Sequence, residues 1–237
     1  MRRTLVPSAL ALILVAGLAT RAAAYEAVAV TDGGSLSGTV KFQGTAPPPA
    51  KLEVTKDPEV CGKEKVSPDL VVAADGALAN VVVTVKAQKG KKLEPQTPTF
   101  DQKTCEYKPH VLAFPAGSTI QVLNSDGILH NIHTFGTANP PTNQAQPKFK
   151  PKIEVKIEKP ETLQVKCDVH GWMSAWWVST DQPYVAVTDA TGAFKITDLP
   201  PGDYDVELWQ EKLGKKTEKV SIKPKEDTNV AWSMTKS

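Results

Sequence analysis

The chain has 237 residues, enough for one or two domains, and 41% of them are hydrophobic, which excludes disorder along the whole chain. Of the 28 Lys and Arg residues, the three Arg all lie within the first 24 residues, so 25 Lys remain against 26 Asp and Glu. A near-neutral chain without Arg has no basic surface for phosphate groups, and we therefore expect no nucleic-acid partner.

The first 24 residues have the pattern of a cleaved secretory signal. Two Arg residues precede an apolar run at 9–19, and three Ala residues precede Tyr25. The run is shorter than the roughly 20 residues that a transmembrane helix needs, and no later segment approaches that length. We therefore expect a periplasmic or secreted protein with no transmembrane segment in the mature chain. An uncleaved N-terminal anchor is the alternative.

Short strand patterns dominate the chain after this leader. They are rich in Val, Ile and Thr and are bounded by Gly, Pro, Asn or Asp. The predicted strands are Leu36–Phe42, Leu78–Ala87, Val111–Asn124, Ile153–Ile157, Leu163–Lys166 and Tyr184–Thr188. No segment has a long 3.6-residue apolar period, and 19 Pro residues would interrupt long helices. The chain is therefore predicted to be all-β and sandwich-like.

Three low-complexity stretches are predicted to be loops or linkers. They are Pro47–Pro49, Lys89–Lys92 and Thr137–Pro151. For the lysine run, a solvated turn is favoured over a patch that binds a partner.

The three cysteines cannot all pair with one another in the oxidising compartment that export implies. Cys61 and Cys105 have polar, loop-like surroundings, whereas Cys167 ends an alternating apolar run. We predict a disulfide between Cys61 and Cys105, which leaves Cys167 with a free thiol. The alternative is that Cys61 and Cys105 are both free or bridge to other chains.

The last third of the chain has a repeated strand-and-turn pattern. Thr188–Gly192 is predicted to be a turn between strands, and Leu199–Val206 contains a second turn that opens a further strand. Residues 188–206 resemble the T-D-x-x-G-x-F-x-I-x-x-L-P-P-G-x-Y-x-V signature of the carboxypeptidase-regulatory-like, or transthyretin-like, β-sandwich. The resemblance implies a sandwich of that type.

The first strands of such a sandwich have counterparts at Leu36–Val40 and Ala79–Val85, far before the C-terminal signature. We therefore expect another domain to be inserted into the sandwich. The predicted divisions are a signal peptide at 1–24, N-terminal sandwich strands at 25–97, an inserted domain at 98–180 and C-terminal sandwich strands at 181–237. The alternative is that the N-terminal strands belong to the inserted domain.

The predicted inserted domain concentrates side chains that bind metals. It contains all four His residues, the unpaired Cys167 and Met173. Cys167, His170 and Met173 lie within seven residues, and His130 follows a predicted strand and turn. A thiolate and a thioether are soft ligands and imidazole is intermediate, so this set favours copper that cycles between Cu(I) and Cu(II).

These residues resemble the ligands of cupredoxins, the blue copper proteins. Asn124-Ser125-Asp126 followed by His130-Asn131 is similar to the strand and first copper histidine of plastocyanin-like domains. Cys167-x-x-His170-x-x-Met173 is similar to the short ligand loop of amicyanin. The resemblance covers about residues 98–180 and implies a Greek-key sandwich with one copper ion.

In that arrangement, His130, Cys167 and His170 are the in-plane ligands and Met173 is the weak axial ligand. Asn131 does not bind copper but bridges the two ligand loops. The stretch Ala138–Pro151 departs from the family pattern, and it either covers the copper or contacts a partner.

The two remaining histidines are not predicted to be ligands. His133 lies three positions after His130 and points to the opposite face of an extended strand, which favours a position beside the ligands or at the surface. His110 begins a strand and is predicted to be structural. A strong ligand from either would change the type of copper site.

The composition excludes several other functions. A trinuclear copper cluster needs many more than four His residues, a binuclear centre needs a second Cys in the loop, and a thioether is a poor zinc ligand. The chain contains no G-x-S-x-G motif, which would indicate a hydrolase. The remaining prediction is one-electron transfer without enzymatic activity.

Electrons leave a cupredoxin through an apolar patch around the loop histidine, and Trp172 is the candidate for that patch. Core packing is favoured for Trp176 or Trp177, because consecutive strand residues face opposite sides. The resemblance implies a soluble or membrane-attached redox partner such as a c-type cytochrome. The alternative is a non-redox copper-binding or cell-surface structural module.

Overall fold

Residues 25–236 are described by a computed structural model, and nearly all of their regular structure is β-strand. The all-β prediction is confirmed. Among these residues no helix has the length and apolar character needed to cross a membrane. The predicted signal peptide at 1–24 lies outside the described residues.

The strands fall into three consecutive groups. Before residue 98 the elements are β1 Glu26–Ala27, β2 Gly34–Phe42, β3 Lys51–Glu53, α1 Pro58–Cys61, β4 Glu64–Val66, β5 Val82–Val85 and β6 Lys89–Gly90. The central group is β7 Thr99–Gln102, β8 Tyr107–Lys108, β9 Val111–Pro115, β10 Ser118–Asn124, β11 His130–Phe135, β12 Asn143–Gln146, β13 Lys152–Ile157, β14 Glu161–Lys166 and β15 Ser174–Thr180. The last group is β16 Val185–Val187, β17 Ala193–Leu199, β18 Gly202–Gln210, β19 Gly214–Ile222 and β20 Asp227–Met234.

Strands from the first and last groups share two sheets, which we call the terminal sandwich. One sheet has the order β16-β5-β18-β19 and the other β17-β2-β20. β2 runs parallel to β20 and antiparallel to β17. Alternate residues of these strands, such as Leu36, Val83 and Leu208, are fully buried in one core. The sheets therefore join chain segments that are separated by the whole central group.

The central group forms two further sheets, which we call the middle sandwich. Their orders are β13-β10-β7-β8 and β12-β11-β14-β15-β9. The core between them includes Phe100, Ile120 and Trp177, all fully buried. The predicted strand Val111–Asn124 is two strands, β9 and β10, in different sheets. A turn at Gly117, where φ is +84°, separates them.

The Asn- and Gln-rich stretch 137–151 was predicted to be a loop, but it contains the edge strand β12. β12 pairs with β11 so that Gln146 lies opposite His130. Gln146 is buried, and its Nε2 donates to the carbonyl of Val122 at 3.1 Å. Gln102 Nε2 donates to Gln146 Oε1 at 2.7 Å. These bonds satisfy the buried Gln146 side chain at the end of a strand whose other residues are exposed or half-buried.

Glu161 anchors the start of this stretch. Its carboxylate accepts the backbone N–H groups of Ala138 and Asn139 at 2.9 and 3.0 Å, as well as that of Thr137. Burial raises the pKa of the Glu161 carboxyl, but these donors outweigh it and lower the pKa to about 2. A carboxyl with a lowered pKa stabilises the folded state above its unfolded pKa and loses that contribution as the pH falls.

Replacing Glu161 with Gln is therefore expected to lower the free energy of unfolding by about 1 kcal/mol at neutral pH, because charge-assisted bonds are lost at a partly exposed site. The deficit should shrink as the pH falls from 4.5 towards 2, where the wild-type carboxyl becomes protonated. Urea unfolding across this range measures the effect, with Glu158→Gln as the exposed control. A deficit that does not change with pH would contradict the prediction.

Residues 51–66, here called the cover segment, pack against the middle sandwich although they precede it in the chain. β3 and β4 pair as a hairpin, with α1 between them. Val54 and Val60 pack against the core of the middle sandwich, and Cys61 is part of that core. Cys61 and Cys105 form a disulfide, as predicted, and Cys167 is free. The cover segment is thus fixed over one end of the middle sandwich.

Candidate metal centre

Three potential metal ligands meet at one end of the middle sandwich. His130 Nδ1 lies 3.0 Å from His170 Nδ1, which in turn lies 3.8 Å from Cys167 Sγ. The donor atoms all lie within 4.8 Å of one another, and the three side chains are buried. The structure therefore brings together the residues that the sequence indicated as in-plane copper ligands.

Strand pairing explains why these donors meet. β11 and β14 are antiparallel neighbours, so the start of β11 and the end of β14 lie at the same end of the sheet. His130 is the first residue of β11, and Cys167 directly follows β14. The loop to β15 is closed by backbone bonds from Cys167 N–H to Met173 O at 3.3 Å and from Met173 N–H to His170 O at 2.9 Å.

Both imidazoles of the donor group are held by carboxylates at the ring nitrogen opposite Nδ1. His130 Nε2 lies 2.9 Å from Asp126 Oδ2, and His170 Nε2 lies 2.9 Å from Asp57 Oδ2. An ionised carboxylate only accepts hydrogen bonds, so each Nε2 carries the hydrogen. In the neutral rings both Nδ1 atoms then present lone pairs towards each other. Two lone pairs 3.0 Å apart repel each other unless a cation lies between them.

The donor set fits a single soft metal ion. Metal–nitrogen bonds of about 2.0 Å and metal–sulfur bonds of about 2.3 Å allow two donors of one ion to lie at most about 4.3 Å apart. The separations of His170 Nδ1 from His130 Nδ1 and from Cys167 Sγ, 3.0 and 3.8 Å, meet this limit, and the third pair lies within 4.8 Å. Met173 is buried in the same loop and offers a thioether. Two imidazoles, one thiolate and a thioether suit copper in an electron-transfer site.

The surroundings favour the neutral imidazole that a metal requires. Burial lowers the pKa of His130; the hydrogen bond to Asp126 acts in the opposite direction, and the nearby His170 adds to the lowering. His130 therefore keeps the lone pair on Nδ1 available. Burial, followed by the charges of Cys167 and Asp168, raises the pKa of Tyr107 well above its ordinary value. The phenol next to the donors thus stays protonated.

Asn131 links the strand of the first histidine to the ligand loop. The backbone N–H of Asp168 donates to Asn131 Oδ1 at 2.5 Å. Asn131 Nδ2 donates to Asn143 Oδ1 at 2.8 Å, and Tyr107 Oη donates to the Asn131 carbonyl at 2.6 Å. The side chain therefore fixes the residue next to Cys167 relative to β11 and β12, which is the position expected for a bridge between ligand loops.

The two other histidines lie away from the donor group. His133 Nδ1 contacts the carboxylate of Asp168 at 3.0 Å, and its ring stacks on Phe135 with centroids 4.1 Å apart. His110 is buried where the two sandwiches meet, with its ring nitrogens facing the Ser174 carbonyl and the Glu211 carboxylate. His133 therefore has the contacts of a residue near the surface, and His110 has those of a structural residue.

The three tryptophans near the loop have different surroundings. Trp172 is half-buried, with its ring centroid 5.1 Å from that of His170, and its Nε1 donates to the Cys105 carbonyl at 3.1 Å. Trp177 is fully buried in the middle sandwich. Trp176 packs edge-on against Trp209 of the terminal sandwich. Trp172 is thus adjacent to the His170 ring and hydrogen-bonded to the backbone of Cys105, one of the two disulfide residues.

Sequence reasoning missed the two carboxylates behind the imidazoles. Asp126 belongs to the predicted turn before His130, and its position four residues from a proposed ligand could have suggested a contact. Asp57 lies 113 residues from His170. Its neighbours in the sequence form no metal-binding motif, so the sequence offered no signal for it.

Comparison with known proteins gives partial matches. A family model described as polysaccharide lyase family 4, domain II, matches residues 158–230. No curated protein matches the chain.

Solved structures of copper proteins are similar over part of the chain. A Cu-containing nitrite reductase from Thermus scotoductus SA-01 is 21% identical over 38% of this chain and has a TM-score of 0.33; the chain covers only 24% of that protein. A purple cupredoxin from Nitrosopumilus maritimus is 19% identical over 37% of this chain and 100% of its own, with a TM-score of 0.30. Amicyanin from Paracoccus versutus is 14% identical over 41% of this chain and 97% of its own, with a TM-score of 0.32.

Proposed function

We propose that the protein is an exported electron carrier, not an enzyme, and that it holds one copper ion in a mononuclear type 1 site. His130, Cys167 and His170 would hold the ion, and Met173 would supply a further, weaker sulfur ligand. One observation carries this proposal: two buried Nδ1 atoms 3.0 Å apart face each other beside a free thiol, while carboxylates hold both Nε2 atoms. This arrangement is costly without a cation and suits a soft one.

When bound, copper supplies a one-electron couple between Cu(II) and Cu(I). The protein's own residues keep the donors fixed. Asn131 holds the residue after Cys167, the backbone bonds of the loop fix His170 and Met173, and the two carboxylates fix the rings. Burial excludes water from the donors. A site whose ligands cannot rearrange requires little reorganisation on electron transfer, which favours a carrier.

A periplasmic or secreted location is proposed from the leader pattern at 1–24. The partner is proposed to be a soluble or membrane-attached redox protein such as a c-type cytochrome. Such encounters bury little surface, so the half-buried Trp172 next to His170 is a sufficient apolar contact.

A non-redox copper-binding module is the second candidate. The His170 side chain has no exposed surface, and its Nε2 edge faces Asp57 and not solvent. An electron carrier must bring a copper ligand close to its redox partner. The covered edge of His170 therefore favours copper storage or a structural role for the metal.

Copper loading tests the two candidates. The mature protein loaded with Cu(II) should show the intense visible absorption of a thiolate bound to Cu(II), and it should be reduced and reoxidised reversibly. Absorption and electron-spin spectra during reductant titration measure this. A colourless complex, or one that cannot be reduced, would refute the carrier and favour the second candidate.

A further inference from the structure

We infer that Asp57 is a positioning residue for the metal, supplied by the cover segment and not by the middle sandwich itself. It holds the His170 ring and the hydrogen on its Nε2, and it closes that edge of the ring to solvent. The inference rests on the proposed copper function and adds a residue that the ligand motif does not contain.

The contact is direct and largely shielded. His170 Nε2 lies 2.9 Å from Asp57 Oδ2. The His170 side chain is fully buried, and that of Asp57 is 31% exposed. In this position the Asp57 carboxylate accepts the hydrogen bond that His170 Nε2 would otherwise donate to water. The imidazole edge is therefore available to solvent only if the cover segment moves.

The local geometry of Asp57 indicates that its side chain is used to contact His170 and not to cap helix α1. Asp57 is at the N-cap position of α1, yet its side chain makes no capping hydrogen bond. Asp at this position ordinarily accepts a helix N–H. Its φ and ψ of 50° and 46° lie in the left-handed region, which residues with a Cβ adopt less readily than glycine. Such strain persists where the surrounding structure fixes it.

Several contacts fix the cover segment around Asp57. The Cys61–Cys105 disulfide begins four residues after it. Val54 and Val60 pack against the core on either side in the sequence. Lys65 Nζ donates to the Thr104 carbonyl at 2.5 Å, next to the disulfide. The carboxylate is thus held in place by a covalent bond and by packing.

A carboxylate behind a ligand histidine has a definite chemical effect. It accepts the Nε2 hydrogen and so makes Nδ1 a stronger electron donor. A stronger donor, together with the negative charge nearby, stabilises Cu(II) more than Cu(I). Asp126 does this for His130 from the adjacent turn. Asp57 accepts the hydrogen bond from His170 Nε2, but it lies on the cover segment, which must first pack against the middle sandwich. The packed cover segment therefore completes the site.

Three variants of the full chain test the inference. Asp57→Gly removes the carboxylate and relieves the left-handed backbone, so the fold should persist. Asp57→Asn keeps an acceptor oxygen but removes the charge. Glu59→Gln removes a charge from an exposed position two residues away and is the matched control. Cu(II) affinity and reduction potential are measured for each. Proton–nitrogen NMR of the histidine rings, in the metal-free and Cu(I) forms, reports the exchange of the His170 Nε2 hydrogen with solvent.

We expect Asp57→Gly to weaken Cu(II) binding by about 10-fold or more. If Cu(I) binding is unchanged, a 10-fold loss raises the reduction potential by about 59 mV. The His170 Nε2 hydrogen, protected in the wild type, should exchange rapidly in Asp57→Gly. Asp57→Asn should give an intermediate potential, and Glu59→Gln should match the wild type.

The measurements distinguish a failure of the Asp57 inference from a failure of the proposed copper function. If the wild type takes up redox-active copper and Asp57→Gly retains its potential and its protected Nε2 hydrogen, the inference alone is wrong. If the potential shifts equally in Glu59→Gln, the effect is a general charge effect and Asp57 does not position the ligand. A wild type that takes up no redox-active copper refutes the proposed function, and this inference with it.

Discussion

Replacing Cys167 with Ser is expected to abolish the intense visible absorption of the copper-loaded protein while the fold is retained. The band requires a sulfur anion bound to Cu(II), and Cys61 and Cys105 are joined in a disulfide, so the protein has no other free thiol. Serine is nearly the same size as cysteine and leaves no large cavity. A buried hydroxyl without a full set of partners costs about 1–3 kcal/mol, less than the stability of an ordinary domain. Absorption spectra and circular dichroism of the loaded variant measure both effects.

A pair of histidine variants provides the matched control. His130→Ala removes a proposed ligand and should also abolish the band, whereas His133→Ala removes a histidine three residues away that contacts Asp168 and Phe135. The second variant should keep the band and the copper affinity of the wild type. A band that survives Cys167→Ser, or that is lost equally in both histidine variants, would show that the ligand assignment is wrong.

Removal of the disulfide should have the largest effect on stability. The Cys61–Cys105 bond spans 44 residues, and closing a loop of this length restricts the unfolded chain by about 4 kcal/mol in the chain-entropy account. The double variant Cys61→Ser/Cys105→Ser should therefore lose about 4 kcal/mol of unfolding free energy. Urea unfolding of the metal-free protein, followed by tryptophan fluorescence, measures it.

The wild type treated with a reductant serves as the control, because breaking the bond chemically should shift the urea midpoint in the same direction and by a similar amount. The double variant should also bind copper more weakly, since the disulfide fixes the segment that carries Asp57. A loss of less than 1 kcal/mol would contradict the prediction that the bond stabilises the protein by restricting the unfolded chain.

Several features of the fold could be predicted because they depend on residues close together in the chain. Short runs rich in Val, Ile and Thr indicated strands such as β2, β10, β13 and β14, because β-branched side chains favour extended backbone. Cys167, His170 and Met173 lie within one short loop, so their spacing alone indicated a common site. The pairing of Cys61 with Cys105 followed from their polar surroundings and from the apolar context of the third cysteine.

The prediction of a loop at 137–151 was wrong in part for a physical reason. Asn and Ala are depleted in strands, and β12, with the sequence Asn-Gln-Ala-Gln, has no β-branched or aromatic residue to indicate a strand. The strand exists because β11 offers an unpaired edge and because Gln102 and Val122 satisfy the buried Gln146 side chain. These partners belong to strands that are distant in the sequence.

The class of fold, the free thiol and the types of donor follow from local patterns of the chain, because strand-forming runs, cysteine context and loop spacing each involve neighbouring residues. That Asp57 lies behind His170, 113 residues away, depends on the folded arrangement of the chain. The Asp57 carboxylate reaches the His170 ring only after the cover segment has packed against the middle sandwich. That packing depends on contacts among many distant residues, and no local pattern of the chain specifies it.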